Sequence, residues 1–237
     1  MDKWKDELKK AFDAPNPMKK RAFLRSIDYP KMSIYSFLYS QIGYIHKWVW
    51  GISALFFFVS VLGSVFVPDN AVWLISGLTP LLALTIISES GRSERYKMFE
   101  LEMATRFSLR SVTFARLTII SIMNYLLLLV ILLITLFINI SIPLTSSLYI
   151  VTPFLLSAYT GLIIVRKFRG QEGLFICVGV SVGISIFLFI SHNIIPQIYQ
   201  EQYFSLWLIA ALLLLLGNIR QYNAIIKQTE ELIWNLL

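Results

Sequence analysis

Two histidines and one cysteine are the only imidazole and thiol metal ligands in the 237 residues, so metal and thiol chemistry has little to work with. On the span assignment given below, His46 and His192 fall on opposite faces of a membrane. About 30 Å of hydrocarbon then separates them, so they cannot share a metal or a haem; each is expected to be solvated or to cap a helix. Cys177 lies inside an apolar run, which excludes an intramolecular disulfide and any CxxC site. Asp2 and Asp6 have the DxxxD spacing that can hold a metal-bound diphosphate. Lys5, Lys9 and Lys10 stand three or four residues from them, so ion pairing along a Lys-rich helix is the stronger use of both. No GxxxxGK[ST] phosphate loop and no GxSxG nucleophile elbow occurs. The chain is therefore expected to be no enzyme and to bind no cofactor or metal itself. Any energy input has to come from a partner.

The elements around these residues are membrane elements. With 57% apolar and 15% charged residues, against about 45–50% and about 25% in soluble domains, the chain has too little polar surface to cover itself in water. Six segments approach or exceed the roughly 20 apolar residues that a membrane-crossing helix needs. They are Trp48 to Val67, Ala71 to Ile87, Leu117 to Ile138, Leu148 to Val165, Gly173 to Ile190 and Tyr203 to Ile219. The first 30 residues carry charges of both signs and no apolar h-region, so no cleavable signal peptide is expected and the N-terminus is expected to stay in the cytoplasm. Segments 1–47, 88–116, 166–172 and 220–237 then face the cytoplasm and hold all 21 Lys and Arg residues. The outer connections hold no basic residue and two acidic ones, Asp69 and Glu201, so the net charge of +7 divides into +9 inside and −2 outside. This is the positive-inside pattern, and it makes the basic balance a signal of orientation rather than of nucleic-acid binding. The expected fold is an all-α integral membrane protein with six transmembrane helices and both termini cytoplasmic, multi-pass in a bacterial plasma membrane. Its parts are cytoplasmic and interfacial helices at 1–47, the six-span domain at 48–219 with its cytoplasmic loop at 88–116, and an amphipathic helix at 220–237.

No Asp, Glu, Lys, Arg or His lies within the six spans, which argues against an ion-coupled transporter, a pump or an intramembrane aspartyl protease. Asn124, Ser157, Thr160, Ser181 and Ser185 are the most polar span residues. They serve either as helix–helix hydrogen bonds or, for Asn124, Ser157 and Thr160, as the lining of a path. Gly179 and Gly183 form a GxxxG, preceded by Gly173 and Cys177, that lets a helix approach closely, within the subunit or across a dimer. Pro80 and Pro153 are expected to bend the second and fourth spans.

Three cytoplasmic elements are amphipathic. In the loop after the second span, Phe99, Met103 and Phe107 recur at i, i+4, i+8, and Glu102, Arg106 and Arg110 follow one another at intervals of four. Such a helix lies on the inner leaflet or docks a soluble subunit; Glu100 and Glu102 suit an anionic lipid surface poorly. Near the N-terminus, Trp4, Leu8 and Phe12 form one stripe, and Ile34, Phe37, Leu38, Ile42 and Ile45 form another that leads into the membrane up to Lys47. At the C-terminus, Ile219, Tyr222, Ile226, Ile233 and Leu236 suit a partner or the bilayer equally.

The order of interfacial helix, span, three-residue outer turn, span, charged inner loop and four further spans resembles the permease subunits of six-helix ATP-binding-cassette exporters, the ABC-type-2 class. The likeness covers nearly the whole chain, and its local match is Tyr96 to Leu109, continuing through Arg116 to the third span. The resemblance implies that Phe99 to Phe107 is a coupling helix seated in a groove of a separate ATP-binding subunit. Phe99, Met103 and Phe107 would be its apolar anchors, and Glu100, Glu102 and Arg106 its polar contacts. It further implies that Ser33 to Lys47 is a connecting helix and Ser191 to Gln202 an outer gate. Two permeases would join two ATPases, with ATP and Mg held by the latter.

The expected function is accordingly the permease of an ATP-driven exporter. An uncharged span set suits an amphipathic or apolar cargo, such as a peptide, an antimicrobial or a lipid-like molecule. The alternative is a non-transporting membrane scaffold or sensor whose cytoplasmic helices sequester a regulator.

Overall fold

The computed structural model describes Trp4 and residues 34–67, 70–90, 92, 109–138, 146–168, 171–194 and 203–234. The chain divides into two units, Met1–Phe37 and Leu38–Leu237. Of the first unit the described residues are Trp4, which is exposed, and the opening turn of α1. The helices are α1 (Ile34–Tyr44), α2 (Lys47–Phe66), α3 (Ala71–Ser90), α4 (Leu109–Ile138), α5 (Ser147–Lys167), α6 (Gln171–Ile194) and α7 (Phe204–Trp234), and no strand occurs among the described residues. Helices α2 to α7 are long and apolar enough to cross a membrane. The protein is thus an all-α, multi-pass membrane protein.

Two boundaries differ from the sequence expectation. The helix expected from Ser33 to Lys47 ends at Tyr44, and α2 begins afresh at Lys47 after Ile45 and His46. The segment from 220 onward is no separate helix, because α7 runs unbroken for 31 residues. No Gly or Pro stands between Ile219 and Trp234 to end it, and at 1.5 Å per residue it is about 46 Å long.

Small and hydroxylated side chains share the interior with large apolar ones such as Phe154, Ile75 and Leu82, and many other large apolar side chains face outward. Helix α2 buries Val49, Ser53, Phe56, Ser60 and Ser64 while exposing Leu55, Phe58, Leu62 and Phe66. Lipid tails are as apolar as leucine, so large side chains gain nothing by leaving them, whereas small ones let backbones approach and hydroxyls bond across. Ser64 makes such a bond, 3.0 Å from the Thr135 hydroxyl of α4.

Helices α3 and α5 form the centre. Helix α3 packs against α2, α4, α5 and α6, and α5 packs against α3, α4, α6 and α7. In its most apolar stretch α3 is 61% buried and α5 56%, against 11% for α7, which places α7 at the rim. Both central helices contain a proline, Pro80 and Pro153. A proline has no N–H, so it leaves the carbonyl four residues earlier without its helical donor, a cost of several kcal/mol in hydrocarbon unless another group donates. The two freed carbonyls belong to Ser76 and Tyr149. The Ser76 hydroxyl donates to the Tyr149 carbonyl at 2.8 Å, and the Thr79 hydroxyl donates to the Ser76 carbonyl at 2.8 Å. Ser76 therefore joins both interruptions. Glycines allow close approach at two levels of the bundle: beside Ser76 a Cβ on Gly77 would lie 2.7 Å from Phe189 Cζ of α6, and near the other end of α3 one on Gly161 would lie 2.6 Å from Ile87 Cγ1.

Candidate functional site

The last turn of α3 carries the one carboxylate buried among the described residues. Glu89 is 5% exposed, although it stands only two residues beyond the last apolar residue of its span. Its Oε1 accepts the backbone N–H of His46 at 3.2 Å, and its Oε2 accepts Arg92 Nη1 at 3.3 Å. Arg92 Nη1 also donates to the Tyr44 carbonyl at 2.6 Å. The carbonyl at the end of α1 and the N–H groups at the start of α2 are those that a helix terminus leaves without internal partners. One ion pair from α3 satisfies a group on each side of the break.

His46 completes the junction. It is the N-cap of α2, and its Nδ1 accepts the Trp48 N–H at 3.2 Å, the capping role expected of a lone histidine. Beside the junction lies a cavity of about 570 Å³ bordered by Gly43, His46, Lys47, Trp48, Gly51 and Arg92. The chain enters segment 93–108 directly from Arg92.

The residues singled out for ATPase docking, Phe99, Glu100, Glu102, Met103, Arg106 and Phe107, lie outside the described residues, as do Asp2 and Asp6. Asn124 and Ser157 lie inside the bundle. Asn124 Nδ2 donates to the Thr85 hydroxyl at 2.8 Å. The Ser157 hydroxyl donates to the Pro80 carbonyl at 3.0 Å and lies 2.9 Å from the Ser181 hydroxyl. Thr160 bonds back to carbonyls of its own helix, Leu156 and Ser157. All three hold polar contacts within one chain. The Asn124 Oδ1, buried, has no partner among the described residues.

The small residues of α6 divide between two faces. Gly173 and Cys177 are buried: a Cβ on Gly173 would stand 2.5 Å from the Phe168 carbonyl oxygen, and Cys177 Sγ donates to the Gly161 carbonyl at 3.6 Å. Gly179 and Gly183 are exposed on the other side, where an added Cβ would meet nothing within 4 Å. No described residue of the chain packs on the GxxxG.

Glu89 and Ser76 are not among the residues singled out from the sequence. The signal for the first was a Glu and an Arg at i, i+3 within the serines that close an apolar helix. The signal for the second was a serine four residues before one proline in a chain with a second proline-bearing span. No family model, no curated protein and no solved structure matches the chain.

Proposed function

We propose that this chain is the permease subunit of an ATP-driven exporter of the ABC-type-2 class, working as a dimer in the bacterial plasma membrane with ATP hydrolysed by a separate cytoplasmic subunit. The observation that carries the proposal is the Glu89–Arg92 clamp on the α1–α2 break. A permease without its own phosphate loop needs a rigid route from a docking segment to its spans. Here the residue that opens segment 93–108 grips the end of the interfacial helix and the start of the first span. In this scheme Phe99 to Phe107 docks the ATPase, α1 is the connecting helix, and the basic end of the bundle is cytoplasmic. The cargo is amphipathic or apolar, since the buried polar groups of the central spans are hydroxyls apart from Glu89, whose charge is paired with Arg92.

Affinity capture of the full chain from its native membrane tests this. Recovery of a nucleotide-hydrolysing subunit, lost when Phe99 and Phe107 are both changed to Ala, is the expected result. A chain that is captured without an ATPase and moves cargo without ATP overturns the proposal.

A further inference from the structure

The groove between α5 and α7 carries two arginines and, among its described lining residues, no acid. A cavity of about 380 Å³ there is lined by Tyr159, Arg166, Gly217, Arg220 and Gln221, with Leu216 at its edge. Its floor is built by close packing, since a Cβ on Gly217 would stand 2.9 Å from Tyr159 Cε2. Arg166 Nη1 donates to the Gln221 amide oxygen at 3.0 Å, a neutral acceptor that leaves the guanidinium charge uncompensated. No described residue pairs with Arg220, and the Glu89–Arg92 pair is the one ion pair among the described residues. Glu230 and Glu231 stand about 15 Å farther along α7 at 1.5 Å per residue.

Below the arginines the same face of α7 is bare and apolar. Ile209, Leu212, Leu213, Leu216 and Arg220 recur at three and four residues, and the four apolar members are 54% to 65% exposed. A planar guanidinium presents a fork that matches phosphate oxygens. Basic pockets between membrane helices on the side that carries the positive charge are suited to anionic headgroups. A cationic head above an apolar track has the shape of a phospholipid, with room for the phosphate in the cavity and for an acyl chain along the leucines. We propose that the α5–α7 groove binds an anionic phospholipid, its phosphate held between Arg166 and Arg220 and one acyl chain lying on Leu216, Leu213 and Ile209. The site depends on the membrane location alone and is separate from the ATPase reading.

The test uses the full chain in detergent, titrated with phosphatidylglycerol, with phosphatidylcholine of the same acyl chains, and with inorganic phosphate. Thermal unfolding and retained lipid by native mass spectrometry are the readouts. Phosphatidylglycerol should raise the midpoint and stay bound where phosphatidylcholine does not. Changing both Arg166 and Arg220 to Gln should weaken that binding about thirtyfold, while Lys47→Gln should leave it intact. Arg220→Lys keeps the charge and loses the fork, and should fall between the two. Equal binding of the two lipids by the unaltered protein, the full shift from inorganic phosphate alone, or undiminished phosphatidylglycerol binding in the double variant would overturn the proposal. The first two comparisons need no variant to fold.

Discussion

The hydroxyl of Ser76 in α3 donates to the carbonyl of Tyr149 in α5 at 2.8 Å, and Pro153, four residues later, has no N–H to offer that carbonyl. Interhelical hydrogen bonds in membranes average about 0.6 kcal/mol, but this one goes to a backbone acceptor that the proline at i+4 cannot serve. Ser76→Ala is expected to cost about 2 kcal/mol, measured by unfolding in detergent. The same substitution in a Pro153→Ala background should cost under about 1 kcal/mol, because residue 153 then supplies its own N–H. Equal costs in both backgrounds would remove the role assigned to Ser76.

Glu89 and Arg92 hold the α1–α2 junction as a pair. Glu89→Ala leaves the His46 N–H without its acceptor and the Arg92 guanidinium with the Tyr44 carbonyl but no carboxylate, and should destabilise by about 2 kcal/mol. In an Arg92→Ala background the loss should shrink, and the coupling energy of a double-mutant cycle reads the difference. Under the proposed function, Glu89→Gln should also lower cargo movement per ATP hydrolysed while the ATPase remains bound. An unchanged ratio would separate the clamp from coupling.

The glycines of α6 and its neighbours should behave in opposite ways. Gly77→Val drives a side chain into the Phe189 ring and is expected to cost about 1–3 kcal/mol, with partial recovery in a Phe189→Leu background. Gly179→Leu and Gly183→Leu enter open space and should leave the unfolding midpoint of the single chain within about 0.5 kcal/mol. If a second copy covers that face, the same two variants reduce cross-linked dimer in native membranes. A fall in monomer stability instead would mean that part of this chain already packs there.

Orientation is open to labelling. Cys177 is 1% exposed and gives little background. Asn70→Cys and Gln171→Cys place exposed thiols at opposite ends of the bundle. A membrane-impermeant maleimide applied to intact cells should label the former and spare the latter until the membrane is opened. The reverse order would invert the proposed topology.

Spans were legible because crossing hydrocarbon demands length and apolarity, and both are visible along the chain without knowledge of contacts. The expected span limits at Ala71 and Ile138 coincide with the helix limits for that reason. Which helices occupy the centre was hidden, since α2 and α3 are comparably apolar and differ in where their hydroxyls meet neighbours. Ser60 and Ser64 of α2 read as interruptions of a hydrophobic run, yet they form its buried face. Glu89 was counted with the loop beyond the span because charge marks a boundary; its burial depends on a break in another segment that periodicity carried through to Lys47. Asn124 and Ser157 stood out by polarity, but only packing shows that their partners are Thr85 and Pro80.

Because the carbonyls four residues before both prolines meet at one serine, α3 and α5 cannot slip past each other by a helical turn without breaking the Ser76–Tyr149 bond. The pair behaves as a keel, fixed in register by chemistry rather than by shape. Movement that opens or closes the bundle must then come from helices hung on its flanks, and α7, which has surrendered least of its surface to neighbours, is the one freest to swing.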